Sequence, residues 1–193
     1  MQKRTMGTTN RMLRSFVFAT CLALIFTFSL ANVAIAKTAK EIDSEVNEAL
    51  NLFSKQVEGA KEFLNTAKGV LVIPNIVKAG LGVGGQYGEG AMRIAGRTVA
   101  YYSVAAGSVG LQIGAQKTNL VLVFRQDEAL KKFRAGSGWK AGVDGSMVFI
   151  DAGAGKSLDT MNVRDPIVAF LFGQQGLMAS AAIEGGKFTK LVR

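Results

Sequence analysis

The chain has 193 residues, with 23 lysines and arginines against 14 acids, no histidine and one cysteine. Without histidine it can form neither a Ser-His-Asp triad nor an imidazole metal site, and a single cysteine excludes an intrachain disulfide, a zinc knuckle and a CxxC pair. At 49% hydrophobic with only two prolines, it reads as one folded, basic domain rather than a disordered linker.

The first 36 residues read as an export signal. Lys3, Arg4, Arg11 and Arg14 form a basic start, residues 15–36 carry no charge, and Ala34-Ile35-Ala36 is an A-x-A cleavage pattern ahead of Lys37. A run of 22 uncharged residues could just span a bilayer as a retained anchor, but Thr20, Thr27, Ser29 and Asn32 dilute it. Cys21 lies inside the run, whereas a lipoprotein would need it at the end. The expected mature domain is therefore 37–193, in the periplasm or cell envelope. Four cations leave with the signal, so the balance becomes 19 against 14. Residues 41–62 hold six acids against Lys55 and Lys61, while from Phe63 onward 15 bases face eight acids.

Residues 38–66 predict an amphipathic helix. Ile42, Val46, Leu50, Phe53, Val57, Ala60 and Leu64 recur at three- and four-residue steps, and Thr38 with Glu41 forms a capping box. The face suits core packing; a membrane-surface helix would carry a basic polar face, and this one is acidic. From Gly69 the period shortens. Val70-Leu71-Val72-Ile73 predicts a strand ended by Pro74-Asn75, and residues 76–79 one helical turn. Further strands are expected at 98–106, 108–116, 119–124, 139–150, 167–172, 177–183 and 188–192, with a short helix at 127–134 closed by Gly136. Many short strands with internal glycines point to a barrel or strongly curved sheet. The polar stretch 151–165 is expected to be a loop.

Several motifs lack the context their chemistry needs. Gly80-x-Gly82-x-x-Gly85 fits a dinucleotide fingerprint, but strand-like alternation follows it and no acid occurs between Gly90 and Asp127. Gly155-Lys156-Ser157 ends like a P-loop, yet Ile150 stands where the leading glycine belongs. Ser137-x-x-Lys140 has neither of its companion motifs. Asp144, Asp151, Asp159 and Asp165 match no calcium loop and suit turns. Lys131, Lys132 and Arg134, with Trp139 and Lys140 close by, put cations beside aromatics, an arrangement suited to phosphate headgroups. Nucleic acid is disfavoured for an exported chain, and no cofactor is implied.

In order along the chain come Ala67-Lys-Gly-Val-Leu-Val-Ile-Pro74, Lys78-Ala-Gly-Leu-Gly-Val-Gly-Gly-Gln-Tyr-Gly-Glu-Gly90, Tyr101-Tyr-Ser103, Gly107-Ser-Val-Gly-Leu-Gln-Ile-Gly114 and Gly176-Leu-Met-Ala-Ser-Ala-Ala-Ile-Glu-Gly185. This succession resembles the SYLF domain family across roughly residues 40–193. The resemblance implies an α+β fold: a β-barrel-like, strongly curved, mostly antiparallel sheet with a long N-terminal helix and short helices on its surface. It also implies lipid binding without enzymatic activity, phosphoinositides being the ligand class. The actin role of members that add SH3 or FYVE modules is not carried over, since the sequence holds neither. The expectation is a non-enzymatic envelope module that binds anionic lipid headgroups through Lys131, Lys132, Arg134, Trp139 and Lys140, with Lys68 and Lys78 beside the glycine-rich segment. The rival reading is a structural outer-membrane barrel; an unrecognised carboxylate hydrolase has no positive signal.

Overall fold

The N-terminal cap closes as the sequence predicts. The backbone N–H of Glu41 donates to Thr38 Oγ1 at 3.3 Å, and the N–H of Thr38 donates to Glu41 Oε2 at 2.7 Å. The computed structural model describes residues 37–110, 116–136, 138–151, 165–173, 183 and 185–193. The signal segment, most of the 151–165 loop and all but residue 183 of the strand expected at 177–183 lie outside them. Helix α1 spans Ala39–Gln56 and α2 spans Ala60–Thr66. They replace the single helix expected over 38–66, because Gly59 turns the chain in the left-handed region at φ 73°. The predicted apolar face survives the break: Ile42, Val46, Phe53, Val57 and Ala60 are buried.

Among the described residues seven strands follow: β1 Gly69–Ile94, β2 Arg97–Gly110, β3 Gln116–Phe124, β4 Gly138–Lys140, β5 Val148–Asp151, β6 Ile167–Phe172 and β7 Lys187–Leu191. Helix α3, Asp127–Ala135, lies between β3 and β4 in sequence. The sheet order is β4-β7-β2-β1-β3-β6-β5, antiparallel throughout except where β5 joins β6. The strand expected over 139–150 is split into β4 and β5 by a turn in which Gly142 adopts φ 76°.

Strand β1 organises the rest. Ala95 and Gly96, both at positive φ (48° and 75°), make the two-residue turn that suits the twist of a hairpin. From that turn β1 pairs with β2 as far as Gly82↔Gly110, and its first half pairs with β3 from Lys78↔Gln116 to Gly69↔Phe124. One long ribbon results. The sequence reading ended a strand at Pro74 and placed a helical turn after it; instead the strand runs on through a bulge between Ile73 and Ile76. Asn75 accommodates the bulge at φ 51°, its N–H donating to Asn119 Oδ1 at 3.0 Å. Pro74 needs no partner there because it has no N–H to leave unpaired.

The ribbon doubles back on itself. Residues 73 and 90 would be roughly 55 Å apart on a straight strand. Yet a Cβ added at Gly90 would stand 1.9 Å from the Val72 carbonyl oxygen and 2.7 Å from Ile73 Cα. One added at Gly88 would meet Ile73 and Ile76 side-chain carbons at 2.8 Å. Glycine is what lets these two stretches of one strand approach so closely.

Two apolar layers follow from the pleat. On the inner face Leu71, Ile73, Met92, Tyr102, Leu122 and Phe124 join Phe133 of α3, Trp139 of β4 and Phe188 of β7, with Phe149 of β5 partly buried against them. Because residues from both edges of the sheet reach this one cluster, the sheet curls around it as a strongly curved half-barrel. On the outer face Val70, Val72, Val121, Val123, Val168 and Phe170 lie beneath α1 and α2. The α+β, barrel-like, mostly antiparallel architecture expected from the sequence is the one observed, with α3 set into the concave side. Among the described residues no helix is long and apolar enough to cross a membrane.

Candidate functional site: a basic flank and a cleft beside it

Helix α3 divides its side chains sharply. Leu130 and Phe133 are buried, while Lys131, Lys132 and Arg134 are exposed. Phe133 anchors the helix among four rings: Phe124, Tyr102, Trp139 and Phe188, with centroids at 5.0, 5.2, 5.3 and 5.7 Å. Acids in the first turn and cations in the last complement the helix dipole. Gly136 ends the helix, and the chain enters β4 at the sheet edge.

In β4 the two-residue period sends Trp139 inward and Lys140 outward. Trp139 is only 4% exposed and stacks on Phe133 and Phe188. Its expected place on a lipid-touching surface therefore changes: the indole belongs to the core, because a strand next to Lys140 must turn the intervening side chain to the opposite face. Lys140 lies directly opposite Lys187 of β7 in antiparallel register. Like charges so placed repel. Lys187 instead lies across the edge, since a Cβ at Gly138 would be 2.9 Å from its Cε. Among the described residues, Lys131, Lys132, Arg134, Lys140 and Lys187 have no carboxylate partner.

The two remaining predicted cations sit elsewhere. Lys68 approaches Asp127 at 3.9 Å, both being well exposed, at the start of α3. Lys78 pairs with Gln116 along the ribbon, separated from Lys68 by roughly 30 Å of strand. Lys131, Lys132 and Arg134 thus lie exposed on α3, Lys140 faces outward from the strand that follows it, Lys68 lies at the start of α3 and Lys78 sits further along the ribbon. Sequence reasoning left Lys187 out of the site. The signal was available only as register: pairing β7 with β4 is what brings residue 187 to residue 140.

Tyr102 lies under this flank. Its hydroxyl is buried with no hydrogen-bond partner, and burial pushes its pKa up, against the opposing charge of Arg134. Tyr87 and Tyr101 are likewise raised, first by burial and then by hydrogen bonds to Glu89 and Asp43 at 2.7 and 2.9 Å. Glu89 is buried, and its Oε1 also accepts from Arg193 at 2.9 Å.

A cleft of about 270 Å³ opens next to the flank, between α3, the turn after β4 and the start of β6. Glu128, Lys132, Trp139, Asp144, Gly145 and Pro166 contribute to its walls. Asp144 is fixed in place, its Oδ2 accepting the backbone N–H of Lys140 at 2.6 Å. Among the described residues no cluster of three metal-ligating side chains occurs.

The curled half-barrel thus carries exposed cations without carboxylate partners among the described residues, on α3 and at the β4–β7 edge, beside a small cleft of mixed polarity. Residues 105–191 match the model of the Ysc84 family, described as Las17-binding protein actin regulator, which agrees with the SYLF resemblance of the sequence. The matched span includes α3, β4 and β7, whereas the quoted motifs over 67–103 precede it. No curated protein matches the chain.

Proposed function

We propose that this protein is a non-enzymatic, membrane-surface-binding module of the cell envelope that recognises anionic phospholipid headgroups. The observation that carries the reading is the basic flank: Lys131, Lys132, Arg134, Lys140 and Lys187 are exposed without carboxylate partners among the described residues. Such an edge attracts a negatively charged surface, each cation contributing about 1 kcal/mol near it. Rigid packing of Phe133 and Trp139 beneath holds the charges in place. The match of residues 105–191 to the lipid- or actin-associated SYLF family is consistent with this role. For an exported chain, anionic phospholipids or lipid A are more accessible ligands than phosphoinositides. A lipid-embedded barrel would need a bare apolar outer face, and here α1 and α2 cover much of it.

The test is charge reversal, Lys131→Glu/Lys132→Glu/Arg134→Glu, with co-sedimentation on phosphatidylglycerol vesicles at low salt. Removing three attractions of about 1 kcal/mol each predicts at least a hundredfold weaker binding. Binding that is unchanged would remove the flank from the mechanism.

A further inference from the structure

We propose that the cleft between α3, the turn after β4 and β6 binds a phosphate–ammonium zwitterion of the phosphoethanolamine type. The inference deepens the membrane-binding reading and rests on it for the membrane as the ligand's source. Three charged side chains line the cleft, namely Glu128, Lys132 and Asp144. Glu128 and Lys132 are one turn apart on α3, the spacing and order at which a helix normally closes an ion pair. They do not close one. Asp144 cannot swing away to find a cation, because Lys140 N–H holds one of its oxygens. The cleft therefore presents two carboxylates and one ammonium with their charges unspent on one another.

That balance selects a ligand. A simple anion meets Lys132 but is repelled by two carboxylates, and a simple cation leaves Lys132 unanswered. A molecule bearing both charges satisfies all three groups, its phosphate on Lys132 and its ammonium on Glu128 and Asp144. A primary ammonium supplies three N–H donors to these acceptors, whereas a quaternary one supplies none. The volume agrees: about 270 Å³ is below the roughly 300–1,000 Å³ usual for drug-sized ligands and suits a group of a few heavy atoms. Trp139 forms part of the wall, and a Cβ at Gly145 would come within 3.1 Å of its indole, so glycine keeps that wall open.

Trp139 is the only tryptophan in the chain, so its emission reports on the cleft directly. The full chain is titrated with phosphorylethanolamine, inorganic phosphate and phosphocholine, then with phosphatidylcholine vesicles with and without phosphatidylethanolamine. Phosphorylethanolamine should change the emission saturably, and Glu128→Gln/Asp144→Asn should weaken that response about tenfold or more. Asparagine at 144 keeps an acceptor for Lys140 N–H, and unchanged circular dichroism verifies the fold. An equal response to inorganic phosphate or phosphocholine, no response, or an unaffected double variant overturns the proposal. A response to the phosphatidylethanolamine vesicles identifies the lipid as source, and one confined to the soluble compound identifies the free headgroup; either supports the cleft's chemistry. Phosphatidylglycerol vesicles, run in parallel, test the flank separately. Binding to them without a cleft response refutes this proposal alone, and a cleft response without such binding refutes the flank reading alone.

Discussion

Replacing Gly90 by alanine tests whether β1 really doubles back. The new Cβ would lie 1.9 Å from the Val72 carbonyl oxygen, where ordinary contact begins near 3.4 Å, so the two stretches must part by about 1.5 Å. The obstacle is backbone, which cannot rotate aside as a side-chain tip does. A gap of even 0.5–1 Å forfeits roughly a quarter to a half of each dispersion contact, and this one opens along the inner core. The cost should reach or exceed the top of the usual overpacking range, about 3 kcal/mol. For a domain of this size that corresponds to a fall in Tm of roughly 6–12 °C. Gly107→Ala is the control, since a Cβ there meets nothing within 4 Å. Urea unfolding of both variants followed by circular dichroism measures the difference. If Gly90→Ala stayed within about 0.5 kcal/mol of the control, the close approach of 72–73 to 90 would be wrong.

Phe133→Ala should destabilise by about 3–5 kcal/mol, because this 1%-exposed ring holds α3 against four others; denaturant unfolding measures it, and a loss under about 1 kcal/mol would mean α3 is not anchored there. Tyr87, Tyr101 and Tyr102 are all the tyrosines in the chain and all titrate above the usual 10.0. Their raised native pKa values mean that stability is intact below pH 10 and is lost as pH climbs past 10 through those values, since the unfolded chain gives up phenolic protons first. Phenolate absorbance should therefore appear late; three tyrosines titrating normally in the folded protein would contradict the burial of Tyr102 and the hydrogen bonds of Tyr87 and Tyr101 to Glu89 and Asp43.

The elements that were legible in the sequence are those with local causes. Thr38 and Glu41 announce the start of α1, and the buried run Leu120–Phe124 announces β3, because capping and hydrophobic period act over a few residues. The doubling of β1 was not legible. Pro74-Asn75 normally ends a strand, and what carries the strand through here is Asn119, 44 residues away in the chain. The same limit separates the flank's two halves. Lys131, Lys132, Arg134 and Lys140 are neighbours in sequence, whereas Lys187 comes opposite Lys140 only through strand register. Trp139 shows the opposite failure. Its position beside cations suggested a surface, but strand alternation and the ring of Phe133 bury it. The Lys132–Trp139–Asp144 cleft needed the turn after β4, whose closure by the Asp144 carboxylate no spacing rule reveals.

The position of β7 has a consequence for the order of assembly. The β1–β2 hairpin can zip outward from Ala95-Gly96 as far as Gly82 and Gly110, each new pair closing only a short loop. Strand β4 has no such route, because β7, far later in the sequence, stands between it and β2. During synthesis residues 138–140 therefore wait for residues 187–189 before they have a partner. The edge that carries Lys140 and Lys187 therefore forms late, and a nascent chain gains its paired basic edge only once residues 187–189 have left the ribosome.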